Sequence, residues 1–103
     1  MELEEFKTKL RKYKKEDIIF TKHAEIRALG RGIELEEVKE NIINPVKLVY
    51  ARELNGDHKD EEKFECYFNY SKNYSHKYVI SLNRKVIIIT IININRDWQG
   101  MIK

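Results

Sequence analysis

The stretch IIFTKHAEIRALGRGI, Ile18 to Ile33, decides how this chain is read. Thr21 follows the apolar run Ile18-Ile19-Phe20 and carries the kind of side-chain oxygen that caps a helix, so a helix is predicted to start there, with the apolar run fixing its approach. Gly30 and Gly32 flank Arg31, and glycine just past a last turn permits a left-handed exit, so the helix is predicted to end there. Between these signals His23, Arg27 and Arg31 recur every four residues and project from one side of the helix or its exit turn. Ala24 and Ala28 lie beside them and allow close packing.

Outward from that helix the apolar period changes once. Leu3, Phe6, Leu10 and Tyr13 are three and four apart and predict an amphipathic helix over about 2–15, acidic at its start and basic at its end as the helix dipole favours. The motif helix covers about 21–30, and Leu35, Val38, Ile42 and Ile43 predict a third over about 34–43, stopped by Pro45. After Pro45 the period becomes two. Strands are predicted over about 46–53, 63–70, 76–82 and 85–93, with Asn55-Gly56-Asp57 in a charged loop reaching to about Glu62 and Asn83-Arg84 as a tight turn. Phe64, Cys66, Phe68 and Tyr70 share one face of their strand, with Glu65, Tyr67 and Asn69 on the other. The last strand, VIIITII from Val86 to Ile92, is apolar on both parities and is predicted to be central and buried on both faces. The expected architecture is α+β: one domain over 1–103, with N-terminal helices packed on one face of a four-stranded antiparallel sheet. The tail from Asn93 to Lys103, with Trp98, either docks back or forms an interface.

At 103 residues the chain holds one modest core, and 42% hydrophobic with 36% charged residues is a globular composition. The formal net charge of +3 does not announce nucleic acid by itself, so placement matters more than the sum. Lys7, Lys9, Arg11, Lys12, Lys14 and Lys15 fall in one window without a carboxylate, whereas Asp57, Asp60, Glu61, Glu62 and Glu65 make a later segment acidic. The single cysteine, Cys66, provides no disulfide framework, which together with the charged opening MELEEFKTKLRKYKK points to a soluble protein of the reducing cytoplasm with no membrane association.

His23, His58, His76 and Cys66 show no metal-ligand spacing, and no phosphate-cradling glycine loop follows a strand, so neither metal nor cofactor is expected. The cationic constellation remains. His23 falls in a first helical turn, where free N–H groups attract an anion such as phosphate, and a neutral imidazole beside phosphate can take a proton. Arg27 and Arg31 can neutralise the charge that grows on phosphorus when a ribose 2′-hydroxyl attacks the adjacent phosphodiester. The same spacing also suits local packing of His23 and ion pairs from Arg27 and Arg31 to Glu25, Glu34 or the third helix. Thr90, a lone hydroxyl among isoleucines, either bonds a neighbouring carbonyl or positions substrate. Lys12, Lys14, Lys15 and Lys22 can track an RNA backbone, or simply solvate a face. Tyr67, Tyr70, Tyr74 and Tyr78 can stack on bases or belong to the core and its margins.

The string FTKHAEIRALGRGIELEEVKENIINP, Phe20 to Pro45, resembles the opening of a widespread family of small uncharacterised prokaryotic domains with a His-Ala, Arg, Arg-Gly-Ile, Glu-Val helix and Asn-Pro pattern. VIIITI around Thr90 resembles that family's terminal Val-Ile-Thr strand more loosely. The family is grouped with the barnase, EndoU, colicin and RelE-like fold of metal-independent ribonucleases, which includes RelE/ParE-like toxins of toxin-antitoxin systems. The resemblance implies helices followed by a four-stranded antiparallel sheet, with His23, Arg27 or Arg31, and Thr90 as the catalytic positions. It also implies RNA, ribosome- or tRNA-associated, as substrate and an acidic antitoxin or immunity protein as partner. Where related toxins often place an aromatic two residues after that threonine, this chain has Ile92. A non-catalytic RNA-binding or protein-interaction domain on the same fold is the alternative.

Overall fold

In the computed structural model, which describes residues 2–54, 62–72 and 74–95, three helices and five strands form a mixed α+β domain. The loop predicted around Asn55-Gly56-Asp57, His58, and the tail carrying Trp98 lie outside the described residues.

The helical periods resolve into α1 (Leu3–Leu10), α2 (Lys22–Gly30) and α3 (Leu35–Ile43). The first is shorter than predicted: after Arg11 the chain leaves the helix, and a 3-10 turn at Lys15–Asp17 precedes the first strand. Thr21 caps α2 by accepting the Ala24 N–H at 3.0 Å. At the other end only Gly32 takes a left-handed φ, 67°, while Gly30 completes the helix.

The sheet corrects the four-stranded antiparallel expectation. Ile18–Phe20, read from sequence as an apolar approach to the helix, is a strand, β1, paired in parallel with β5 (Val86–Asn95). With β2 (Leu48–Leu54), β3 (Glu62–Asn69) and β4 (Tyr74–Leu82), the order is β1-β5-β4-β3-β2, the last four antiparallel. Three β-branched or aromatic residues are enough to fill the edge of β5 that no hairpin occupies.

Alternation then builds the core. Phe64, Cys66, Phe68, Tyr78, Ile80, Leu82, Val86 and Ile88 are buried with Phe6 and Leu10 of α1, Ala24 and Ala28 of α2, and Val38 and Ile42 of α3. Phe6 packs on Phe64 with ring centroids 4.6 Å apart, and buried Asn41 donates to the Tyr78 hydroxyl at 2.9 Å, so α1 and α3 are each keyed to a named core-facing ring. Cys66 is a free, buried thiol whose ionisation is pushed up by burial. Tyr70 falls past the end of β3 and is exposed, stacked on His76, rather than continuing the Phe64-Cys66-Phe68 row. No helix among the described residues is long and apolar enough to cross a membrane.

Two irregularities re-aim side chains. In β2, Leu48 opposes Phe68 but Tyr50 opposes Tyr67, so Leu48 is buried while Tyr50 moves to the other face. In β5, Val79 opposes Thr90 while Ile80 opposes Ile88, which leaves Ile89 as the extra residue of a bulge. The buried set consequently switches from Val86 and Ile88 to Ile91. β5 is therefore not buried on both faces: Ile87, Ile89, Thr90 and Ile92 are only half-buried. It is an interior strand as expected, flanked by β1 and β4, although the middle place of the five is held by β4.

A candidate site at the α2–β5 junction

β1 ends at Phe20, so beyond Ile88 the outer edge of β5 has no strand to pair with among the described residues. The start of α2 fills that place. The Thr21 N–H donates to the Ile88 carbonyl at 3.0 Å, and the Thr21 hydroxyl donates to the Ile89 carbonyl at 2.9 Å while accepting from Ala24. One threonine thus caps the helix and satisfies the bulge carbonyl that the interrupted ladder leaves free. This double role fixes the first turn of α2 against Ile89 and Thr90.

His23 then meets Thr90. Imidazole Nε2 and hydroxyl Oγ1 lie 3.2 Å apart, joining residues 67 positions apart, with the direction of the proton set by the imidazole tautomer. The bulge makes the contact possible. Val86 and Ile88 face the core, so an unbroken two-residue alternation would bury Thr90 beneath them; the extra Ile89 turns Thr90 to the face it shares with Val79 and leaves Ile91 opposite Tyr78 in the core. Thr90 is accordingly half-buried and His23 exposed.

Arg27 and Arg31 are exposed, and among the described residues neither makes an ion pair or hydrogen bond through its guanidinium. The ion pairs to Glu25, Glu34 or α3 allowed by sequence spacing are not formed. Each step of four residues advances about 6 Å along a helix and about 40° around it. Arg27 therefore flanks His23, whereas Arg31, at the C-cap, stands two such steps away.

The lysines predicted to track RNA do not gather at this junction. Tyr13 donates to the Asn83 carbonyl at 2.7 Å and Lys85 to Asp17 at 3.2 Å, which ties the segment holding Lys12, Lys14 and Lys15 to the β4–β5 turn. That turn, Asn83 to Lys85, ends five residues, about 16 Å of strand, before Thr90. Lys15 is further committed to Glu36 and Glu40 of α3, at 3.7 and 3.4 Å. Lys22 is the exception, exposed in the first turn of α2 beside His23.

Sequence reasoning missed a second polar cluster on the sheet face that carries Thr90. Arg52, Glu65, Val79 and Thr90 are cross-strand neighbours in one row from β2 to β5. Glu65 accepts from the Tyr67 hydroxyl at 2.5 Å and from Arg52 Nη2 at 2.7 Å, with Lys77 Nζ 3.6 Å away. Burial works to raise the Glu65 carboxyl, but these donors outweigh it and hold it below the usual carboxylate range. Tyr67 is pushed up to about 12 by burial and by its bond to Glu65. The available signal was the alternation itself, which set Glu65 and Tyr67 together on the face opposite Cys66.

Among the described residues no group of three or more His, Cys, Asp or Glu side chains is arranged to hold a metal ion. What the junction offers is an imidazole nitrogen, a hydroxyl and the unpaired Arg27 guanidinium, with Arg31 at the far end of α2. That set can exchange a proton and neutralise an anion. Comparison of the chain with protein-family models, with curated proteins and with solved structures returns no match.

Proposed function

We propose that the chain is a metal-independent endoribonuclease of the toxin-antitoxin type, built on a RelE-like arrangement of helices on one face of a five-stranded sheet whose last four strands are antiparallel. The observation that carries this reading is the 3.2 Å approach of His23 Nε2 to Thr90 Oγ1, made by a helix cap and a strand bulge that meet at Thr21. In this reaction His23 takes the proton of a ribose 2′-hydroxyl, the oxygen attacks phosphorus, and the P–O5′ bond breaks. The departing 5′-oxygen takes a proton from solvent. The products are a 2′,3′-cyclic phosphate and a 5′-hydroxyl.

Arg27 neutralises the phosphorane charge, Arg31 and Lys22 hold flanking phosphate, and Thr90 orients the imidazole and the attacking oxygen. The protein acts in the cytoplasm, and an acidic antitoxin or immunity protein covers the cationic face of α2. Lys12 and Lys14, near the β4–β5 turn, extend the RNA contact away from the scissile bond, while Lys15 stays paired with Glu36 and Glu40.

The test is incubation of the full chain with RNA in EDTA, followed by end-group analysis. Cyclic phosphate ends that disappear in His23→Ala support the reading. Cleavage that persists in His23→Ala overturns the assignment of the base. The alternative, a non-catalytic RNA-binding or protein-interaction domain, draws on Ile92, which leaves an aliphatic group beside Thr90. Salt-dependent binding without cleavage selects the RNA-binding form, and absence of RNA affinity at low salt selects the interaction domain.

A further inference from the structure

The end of the sheet away from the β4–β5 turn carries a series of aromatic rings that runs from the core to the surface. Phe68 and Tyr78 are buried, with ring centroids 4.8 Å apart. His76, two residues before Tyr78 on β4, is buried as well and lies 6.3 Å from that ring. Tyr70 then stacks on His76, with centroids 4.1 Å apart and planes 20° from parallel. The series ends in the open. Tyr70 is 52% exposed, so one face of its ring rests on the imidazole and the other meets solvent.

The surroundings hold this ring in place. The Tyr70 N–H donates to the Tyr74 carbonyl at 3.3 Å, the Tyr74 N–H to the Ser71 hydroxyl at 3.2 Å, and the Asn69 N–H to the Lys47 carbonyl at 2.9 Å, which closes the hairpin end and ties it to the entry of β2. His76 Nε2 has no hydrogen-bond partner, so stacking rather than that atom sets how the ring lies. Tyr74, 45% exposed on the facing strand, adds a second ring. Charge here has one sign. Residues 41–52 and 66–95 contain no Asp or Glu, while Lys47 at the entry of β2 and Lys72 in the hairpin turn are both exposed. Lys47 is near enough for its charge to act on the His76 imidazole.

A ring backed by a buried ring, among cations, suits an anion that brings flat rings of its own. Single-stranded nucleic acid is such a polymer, since each base offers a π face and each link a phosphate. We propose that Tyr70, seated on His76, is a stacking platform for an unpaired RNA base, with Tyr74 taking a neighbouring base and Lys47 and Lys72 meeting the phosphates. The fixed ring loses little freedom on binding, which is what makes a stacked base worth its contact. His76 and Tyr70 lie on the opposite side of the sheet from Thr90, so the platform does not depend on the reaction proposed there.

Fluorescence anisotropy of the full chain with labelled 2′-O-methyl RNA tests it, because that strand lacks the attacking hydroxyl and stays whole. Three ligands are compared: a single strand, its duplex, and a single strand of abasic residues. The chain is expected to bind the single strand more tightly than the duplex, whose bases are already stacked on one another. Tyr70→Leu is expected to raise the single-strand Kd about tenfold, the worth of one stacked base, and Tyr70→Phe to leave it within about twofold. On the abasic strand Tyr70→Leu and the parent should agree, since only phosphates remain. A loss equal on both single strands makes Tyr70 a structural residue and overturns the proposal. Affinity indifferent to Tyr70→Leu overturns it too, and so does self-association that Tyr70→Leu abolishes while RNA affinity is unchanged, which assigns the ring to a protein contact. The two proposals fail separately: indifference to Tyr70→Leu leaves cleavage at His23 standing, and cleavage that persists in His23→Ala leaves the platform standing.

Discussion

His23 and His76 carry the same imidazole into opposite circumstances. His23 is exposed in the first turn of α2 and bonds Thr90. His76 is 1% exposed on the core-facing side of β4, stacked on Tyr70 with ring centroids 4.1 Å apart, and its Nε2 has no hydrogen-bond partner. Burial, with the Lys47 charge nearby, lowers His76 to about 4, so it stays neutral at ordinary pH. The contrast separates a ring open to solute from one that serves as a flat packing element. Residue type alone does not distinguish them; what each ring faces does.

Removing each ring should break different properties. His23→Ala is expected to lower RNA cleavage by about 10²–10⁴-fold, the usual worth of a positioned general base, with stability changed by no more than about 0.5 kcal/mol. His76→Phe should leave cleavage near the parent level, since the ring replaced touches Tyr70 and the core rather than Thr90. Turnover on synthetic RNA with parallel thermal melts checks both, and equal losses of cleavage in the two variants would erase the distinction.

The next effect is pH-dependent. His76 has a folded value of about 4 against an ordinary 6.5, so between these values the unfolded chain binds a proton that the folded chain refuses. Stability should therefore be intact above about pH 6.5 and fall as pH drops towards 4, by at most about 3 kcal/mol from this group. Denaturant unfolding at a series of pH values reads the slope, which His76→Phe should flatten. Glu65, held below its usual range by its donors, likewise loses its contribution as pH falls, on the acid side of the ordinary carboxylate range.

Smaller effects sharpen how His23 is held. Thr21→Val keeps the shape but loses both the Ala24 cap and the Ile89 bond, which should cost about 1 kcal/mol and lower the melting temperature by about 4–8 °C. Cleavage should fall with it, because the first turn of α2 is no longer tied to the bulge. Smallest in stability are Arg27→Ala and Arg31→Ala, each within about 0.5 kcal/mol. Cleavage should fall more for Arg27→Ala than for Arg31→Ala, because Arg27 stands one turn closer to His23. The reverse order would place the reacting phosphate at the C-terminal end of α2.

Several elements were legible because their signals are local. The Thr21 cap, the left-handed Gly32, the stop before Pro45 and the Phe64-Cys66-Phe68 face each depend on a few neighbouring residues. Ile18–Phe20 was misread because three apolar residues serve equally as a helix approach or as a strand, and only the open edge of β5 selects the second. Thr90 was singled out as a lone hydroxyl, but its direction depends on the bulge at Ile89, which no alternation pattern announces in an all-isoleucine run. Lys15 belonged to a basic run whose commitment to Glu36 and Glu40 depends on how α3 lies over the 3-10 turn.

The sequence by itself determined the helices before Pro45, the strands after it, and a cationic series of four-residue spacing on α2, since periodicity and capping act over one or two turns. Tertiary structure alone decided that β1 stops at Phe20, that Thr21 then reaches the Ile89 carbonyl, and that an extra residue turns Thr90 out of the core to meet His23. The physical reason is that a backbone group left unpaired at one strand edge must find its partner, and that partner can come from anywhere in the chain.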